Sequence, residues 1–193
     1  MSDYTVIAEV GEALVRVLWE EIQLDPQVSL LIDNENRISL QSPKELAEDS
    51  SVRLSIYLYR VVENAFLKNQ PMAAADGRRQ QVAPLALDLC YLVTPLVGTP
   101  REQQIVLGKV MQVFYDRALL EGTDLSAAMA DTGEDVRVVL NPVTLEETTR
   151  VWQALEMSYR LSVCYLVRVA LVDSRRRRET APVVERQGEF AGR

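Results

Sequence analysis

The sequence predicts an α+β domain: a mixed, mostly antiparallel sheet of about five strands with helices packed on it. Several stretches alternate apolar and polar residues, the longest from Tyr159 to Leu171, as half-buried strands do. Helical stretches occur among them without alternating one-for-one. Two of those helices open on capping boxes, Thr99-Pro100-Arg101-Glu102 and Thr144 to Glu147, which fix where each begins. With 193 residues, 48% of them apolar, the chain reads as one domain with a substantial core.

In chain order, the first segment is an amphipathic helix. Ile7, Val10, Leu14, Val17 and Leu18 recur at spacings that place them on one face, and Glu20 and Glu21 end it. Asp25-Pro26 turns the chain into a short strand candidate, Val28 to Ile32. The polar stretch from Asp33 to Ser51, with Pro43, reads as a loop holding a short helical turn. From Val52 to Val62 the period becomes two: Val52, Leu54, Ile56 and Leu58 point one way, and Arg53, Ser55, Tyr57 and Tyr59 the other. Lys68 to Ala83 reads as a second loop, containing Gly77 and the Arg78-Arg79 pair.

Leu85 to Val93 alternates again, bracketed by Pro84 and Pro95. The helix opened by Thr99 presents Leu107, Met111, Phe114 and Ala118. Gly122 and the small residues from Ser126 to Ala130 form a connector, and Val136, Val138 and Leu140 a short strand stopped by Asn141-Pro142. The helix after Thr144 presents Thr148, Val151, Trp152 and Leu155, with Trp152 expected in the core. The last strand puts Tyr159, Leu161, Val163, Tyr165, Val167, Val169 and Leu171 on one face. Its other face, with Ser162, Cys164, Leu166, Ala170 and Val172, is too apolar for open water. Something is expected to cover that face, within the monomer or across an interface.

The net charge is −7, which argues against a nucleic-acid-binding surface over the whole domain. The charge is uneven. Ser174 to Arg193 carries six Arg and three Glu, which leaves −10 on the preceding 173 residues. The sequence therefore divides into a single domain over 1–173 and a basic, flexible tail over 174–193. The run Arg175-Arg176-Arg177-Arg178 suits an acidic neighbour better than phosphate. Each apolar stretch is broken by a polar residue well short of a membrane span, as Asp88 does between Leu87 and Leu89. The start, Met1-Ser2-Asp3-Tyr4, lacks the features of a signal peptide. Cys90 and Cys164, the only cysteines, fit free thiols of a cytoplasmic protein.

Catalytic chemistry is hard to assemble from this composition. The chain has no histidine, so His-based triads, His metal sites and the commonest general base are absent. Lys44, Lys68 and Lys109 are its only lysines, and Lys109, beside Gly108, lacks a preceding glycine loop. The acidic pairs Glu20-Glu21, Glu48-Asp49, Glu134-Asp135 and Glu146-Glu147 read as solvated surface. Cys90 and Cys164 read as buried small hydrophobes, and Asp88, a charge inside an apolar strand, as a paired or outward-facing residue. No catalytic, cofactor-binding or metal-ligating residue is assigned, and no cofactor is expected.

Several blocks carry a family resemblance. Leu58-Tyr59-Arg60-Val61-Val62-Glu63-Asn64 resembles a signature of the cap, or tail-terminator, proteins of extracellular contractile injection systems, which are phage-tail-like particles. Pro84-Leu85-Ala86-Leu87-Asp88-Leu89-Cys90-Tyr91-Leu92-Val93-Thr94 is similar to that family's most distinctive block. Leu107-Gly108, Trp152-Gln153-Ala154-Leu155 and Tyr159-Arg160-Leu161-Ser162-Val163-Cys164-Tyr165 follow in matching order. Ala83, where a second proline is common, and Tyr115-Asp116-Arg117, which lacks the histidines often seen there, depart from the pattern. The resemblance reaches from the first helix to about Asp173.

It implies a non-enzymatic ring of six copies at the baseplate-distal end of the particle. That ring would bind the last layers of inner tube and sheath and fix particle length, with no nucleic-acid or membrane partner. Assembly would take place in the cytoplasm. Long strands suit this role, because their edges accept a neighbour's arm by strand addition. Arg53, Tyr57 and Tyr59, with Arg175, Arg176, Arg177 and Arg178, are the candidate partner contacts. The rival reading is a small cytosolic ligand-binding or enzymatic domain acting alone, which a pocket with convergent polar groups would favour.

Overall fold

A computed structural model of the chain describes residues 4–67, 74–76, 79–81, 84–120, 136–172 and 177–179. Its elements are α1 (Val6–Ile22), a 3-10 turn (Glu35–Arg37), β1 (Ile38–Ser39), β2 (Leu54–Glu63), β3 (Ala74–Asp76), β4 (Arg79–Gln81), β5 (Leu85–Pro95), α2 (Pro100–Asp116), β6 (Leu119–Leu120), β7 (Val136–Leu140), α3 (Leu145–Ala154), β8 (Val163–Val172) and β9 (Arg177–Glu179). The main sheet has six strands in the order β1-β2-β5-β8-β7-β6. Only β1 and β2 run parallel; the other neighbours are antiparallel. The α+β, mostly antiparallel architecture expected from the sequence is present, with one strand more than expected.

The core lies between one face of this sheet and α1 with α2. Val10, Leu14, Val17 and Leu18 of α1 pack with Leu54, Ile56, Leu89, Tyr91, Val93 and Val167. The helix runs past Glu20 and Glu21 to a buried Ile22, because that turn still points into the core. Gly11 lets α1 approach closely: a β-carbon there would sit 3.0 Å from the Leu40 side chain. In α2 the capping box forms as read. The Thr99 amide donates to Glu102 Oε2 at 2.8 Å, and the Glu102 amide to Thr99 Oγ1 at 3.3 Å. The buried face of α2 is turned from the expected one. Val106, Val110 and Val113 join Leu107 and Phe114 inside, Met111 stays at the margin, and Ala118 lies beyond the helix. Phe114 meets Tyr165 edge to face, with centroids 4.9 Å apart.

α3 covers part of the opposite face. Trp152 and Leu155 pack on Leu92 of β5 and Cys164 of β8, with Tyr57, Tyr59, Val143 and Val151 around them. This supplies, within the monomer, some of the cover that the apolar second face requires. Trp152 is buried as expected, and its indole N–H donates to Ser162 Oγ at 3.2 Å. The α3 capping box also forms, between Thr144 and Glu147.

Four expectations need correction. Val28 to Ile32 is not a strand: the Asp25 carboxylate accepts the Gln27 and Val28 amides, and the Ile32 amide bonds Val28 O at 2.9 Å. Helical turns result, which bury Val28 and Ile32. The last strand begins at Val163, not Tyr159. Glu156 takes a left-handed conformation (φ 54°) that ends α3, and the Met157 amide bonds back to Trp152 O. That reversal occupies the residues before Ser162. Within β8 the pairing slips: Leu89 opposes Val167 and Leu87 opposes Ala170, so a bulge flips the alternation. Ala170 and Val172 thereby join the core face that Leu171 was expected to share. Fourth, the loop expected over 68–83 contains β3 and β4.

The tail read as flexible contributes β9, which pairs with β4 in the three-stranded sheet β3-β4-β9. Arg177 and Arg178 lie in β9. Arg175, Arg176, and the connector at Gly122 and Ser126 to Ala130 fall outside the described residues.

Two outcomes test this packing. Trp152→Ala should lower stability by about 3–5 kcal/mol, measured as a shift of the urea midpoint; an unchanged midpoint would remove the indole from the core. Ending the chain at Ser174 removes β9 but no strand of the main sheet. Cooperative unfolding should persist, with a melting temperature lower by no more than about 2–4 °C. An insoluble product or a much larger drop would show that the tail packs on the body.

Candidate assembly surface

The second face of the sheet is only partly covered, and its open part forms a groove. Tyr57, Tyr59 and Arg60 of β2 and Cys90 of β5 line one side, and Glu147, Thr148, Arg150, Val151 and Ala154 of α3, with Leu155 just after it, the other. Asn141, Pro142 and Val143, between β7 and α3, also line it, and the space measures about 760 Å³. The sequence places these groups locally. Alternation along β2 turns Tyr57 towards α3. A slip of the β2–β5 register between Leu58 and Arg60 then bends the strand, so that Tyr59 and Arg60 both face the groove.

The groove's chemistry is that of a binding surface. Burial pushes the Cys90 and Cys164 thiols up from their ordinary value, and burial likewise raises the Tyr59 phenol. A thiol held in its neutral form is a poor nucleophile. The Glu147 carboxylate is held below its usual range by the Thr144 amide and hydroxyl, which donate to it at 2.8 and 2.9 Å. It is occupied as a helix cap. Arg150 pairs with Glu146 at 2.6 Å. Arg60 is exposed, and although no carboxylate lies within ion-pair distance of it among the described residues, its charge helps hold the Glu147 carboxylate low. Those residues also hold no cluster of three His, Cys, Asp or Glu fit for a metal, and no helix long and apolar enough to cross a membrane.

Asp88 has a structural partner set. Its carboxylate accepts from Asn64 Nδ2 at 3.0 Å and lies 3.9 Å from Arg168 Nε. Asn64 Oδ1 in turn accepts the Phe66 and Leu67 amides at 3.0 and 3.2 Å, shaping the turn after β2. The charge inside the apolar strand thus sits at the bulge and holds the end of β2, consistent with the paired-Asp reading.

Of the partner-contact candidates, the structure brings Tyr57 and Tyr59 together in the groove. Arg53 stands apart at the start of β2, where its backbone clamps two segments. Its amide donates to Arg37 O at 2.8 Å, and its carbonyl accepts from Leu96 N at 2.7 Å. Sequence reasoning missed Arg60 and the α3 wall, because nothing in the chain's order says that α3 lies beside β2. It also missed a second, more apolar hollow of about 490 Å³ between α2 and β7. Met111, Tyr115, Val139 and Leu140 line it and remain partly or largely exposed. Only part of the signal was available: Tyr115 falls outside the expected core stripe of α2, whereas Met111 fits it by spacing.

The whole fold has known counterparts. It is similar to the sheath/tube terminator of the PVC extracellular contractile injection system in its extended state, with TM-score 0.65 and 18% identity, across 100% of this chain and 65% of that one. It is also similar to the anti-feeding prophage cap, the AFP tube terminating cap, with TM-score 0.61 and 18% identity, across 94% of this chain and 60% of that one. The chain therefore spans somewhat under two thirds of the length of each. No curated protein matches. A family model described as the Pvc16 N-terminal domain matches residues 9–186, nearly the whole chain and most of the tail. On that match, the chain belongs to the Pvc16 N-terminal domain family.

Proposed function

We propose that this protein is a structural cap subunit that closes the baseplate-distal end of a contractile injection particle. It assembles as a ring of six copies, binds the last tube layer and the last sheath ring, and thereby fixes particle length. The observation that carries this reading is the fold likeness to two terminators over 94% or more of the chain, joined to the family match. Ring closure needs a heterologous interface, in which one patch meets a different patch on the next copy. The groove beside β2 and the hollow beside β7 are two unlike partly apolar surfaces on well-separated strands of one sheet.

The role is non-enzymatic. Neutral thiols, a capped carboxylate and an ion-paired arginine suit contact rather than turnover. Assembly takes place in the cytoplasm, with no nucleic acid or membrane involved. Tyr57 and Tyr59 serve as partner contacts, and Arg53 and Arg175 to Arg178 dock acidic neighbours. A free-standing ligand-binding domain would need a closed pocket with converging polar groups; the large groove is open and the carboxylate that lines it, Glu147, is committed as a helix cap.

Electron microscopy of particles from cells with and without this gene tests the reading. Particles made with the protein should have uniform length and one closed end with six copies. Deletion should scatter the lengths and leave sheaths unstable or already contracted. Normal lengths and normal ends in the deletion strain would overturn the cap reading.

A further inference from the structure

The second face of the sheet carries an unbalanced charge as well as the groove. Arg137 of β7 and Arg168 of β8 stand directly opposite each other in the antiparallel register. Residues so paired project from the same face, with β-carbons about 5 Å apart. Their neighbours settle which face. Val136, Val138 and Val167 are buried in the core with α1 and α2, so both arginines point the other way, and both are exposed.

Like charges in this position repel, and a sheet is more stable with an opposite charge or an apolar residue there. One carboxylate answers the pair in part. Asp88 lies 3.9 Å from Arg168 Nε, too far for a hydrogen bond, and already accepts from Asn64 Nδ2 at 3.0 Å. Arg137 has no hydrogen bond or ion pair among the described residues. The surroundings are apolar. Leu119 of β6 opposes Arg137 on its other side, and Val139 opposes Leu166 two residues along the same face. Leu119 and Val139 are both exposed.

We propose that Arg137 and Arg168 together bind one carboxylate of another protein, on a segment whose flanking apolar side chains cover Leu119 and Val139. A carboxylate held between two guanidinium groups removes their repulsion and gains charge-assisted hydrogen bonds from both. The charge of the body favours this source over the phosphates of a nucleic acid. Residues 1–173 carry a net −10, a field that repels a polyanion far more than a single carboxylate set among apolar groups. The site stands on charge and register alone, independent of the cap reading.

Anisotropy titrations of the full chain against three labelled peptides provide the test. Each is a flexible glycine-serine peptide of roughly ten residues, whose central glutamate, glutamine or lysine is flanked by leucines. The glutamate peptide should bind saturably, about fivefold or more tighter than the glutamine peptide. That gap should close near about 0.5 M salt. Arg137→Glu should weaken the glutamate peptide about tenfold and favour the lysine peptide. Arg137→Gln should weaken it about fivefold while leaving the urea midpoint unchanged or higher, because the repulsion with Arg168 is gone.

A glutamate peptide that does not bind, or that binds Arg137→Glu equally well, would overturn the proposal. A lower midpoint in Arg137→Gln would do the same, by showing that the arginine serves the fold. Arg137-dependent binding of single-stranded DNA of about ten nucleotides, with none of the glutamate peptide, would give the pair to phosphate instead. Asp135→Asn probes the acid nearest to Arg137 in sequence. A peptide affinity raised about tenfold in that variant would show that the chain answers its own charge, and would also sink the site. None of these failures touches the cap reading, which particle length and end structure test separately.

Discussion

β5 is the strand on which the rest of the structure depends. It pairs along its length with β2 on one side and β8 on the other, and nearly every residue from Ala86 to Pro95 is buried. A strand apolar on both faces requires cover on both. Leu89, Tyr91 and Val93 are covered by α1 and α2, and Leu92 by α3. The three-layer arrangement follows from that requirement. α3 has 10 residues, as many as β8, but a helix rises only about 1.5 Å per residue against about 3.3 Å for a strand, so it spans less than half the strands' length and leaves the second face open beside β2. The groove is the region that the short helix leaves uncovered.

Regular pairing is interrupted on both sides of β5, and in each case the interruption has a consequence at the surface. The slip between Leu58 and Arg60 bends β2 and carries Arg60 to the groove's rim. The slip between Leu87 and Leu89 lies at Asp88, whose carboxylate meets Asn64 and Arg168. A charge in the middle of a buried strand is costly unless paired. Here the bulge and the Asn64 amide meet that need while fixing the turn after β2. The same device keeps Ala170 and Val172 on the core side of β8.

Under the cap reading proposed above, the protein faces few demands on reactive groups and strict demands on shape. The buried thiols and the capped carboxylates of Glu102 and Glu147 are consistent with a protein whose polar chemistry is spent on its own architecture. What it offers outward is a groove and an apolar hollow. These are surfaces whose free energy is gained only when another chain covers them.

Local chemistry determined much of this structure from the sequence alone. Thr99 and Thr144 start their helices because a hydroxyl and a glutamate three residues on satisfy the same orphan amides wherever the helix sits. Strands alternate where one face is buried, so β2 and β7 were legible; Pro84 and Pro95 bracketed β5, and Trp152 was legible in the core. Tertiary contacts decided the rest. Val28 and Ile32 carry strand-like side chains, but the Asp25 carboxylate and the core draw them into helical turns. Met111 yielded its place in α2 to Val106, Val110 and Val113, because rotation about the helix axis is set by what the helix packs against. The groove was half legible: Tyr57 and Tyr59 stood out as outward-facing aromatics, whereas Arg60 and the α3 wall did not. A bulge is a mismatch between two strands, and a groove is a gap between elements distant in sequence. Neither property belongs to any single segment, so both arise only when the chain is folded.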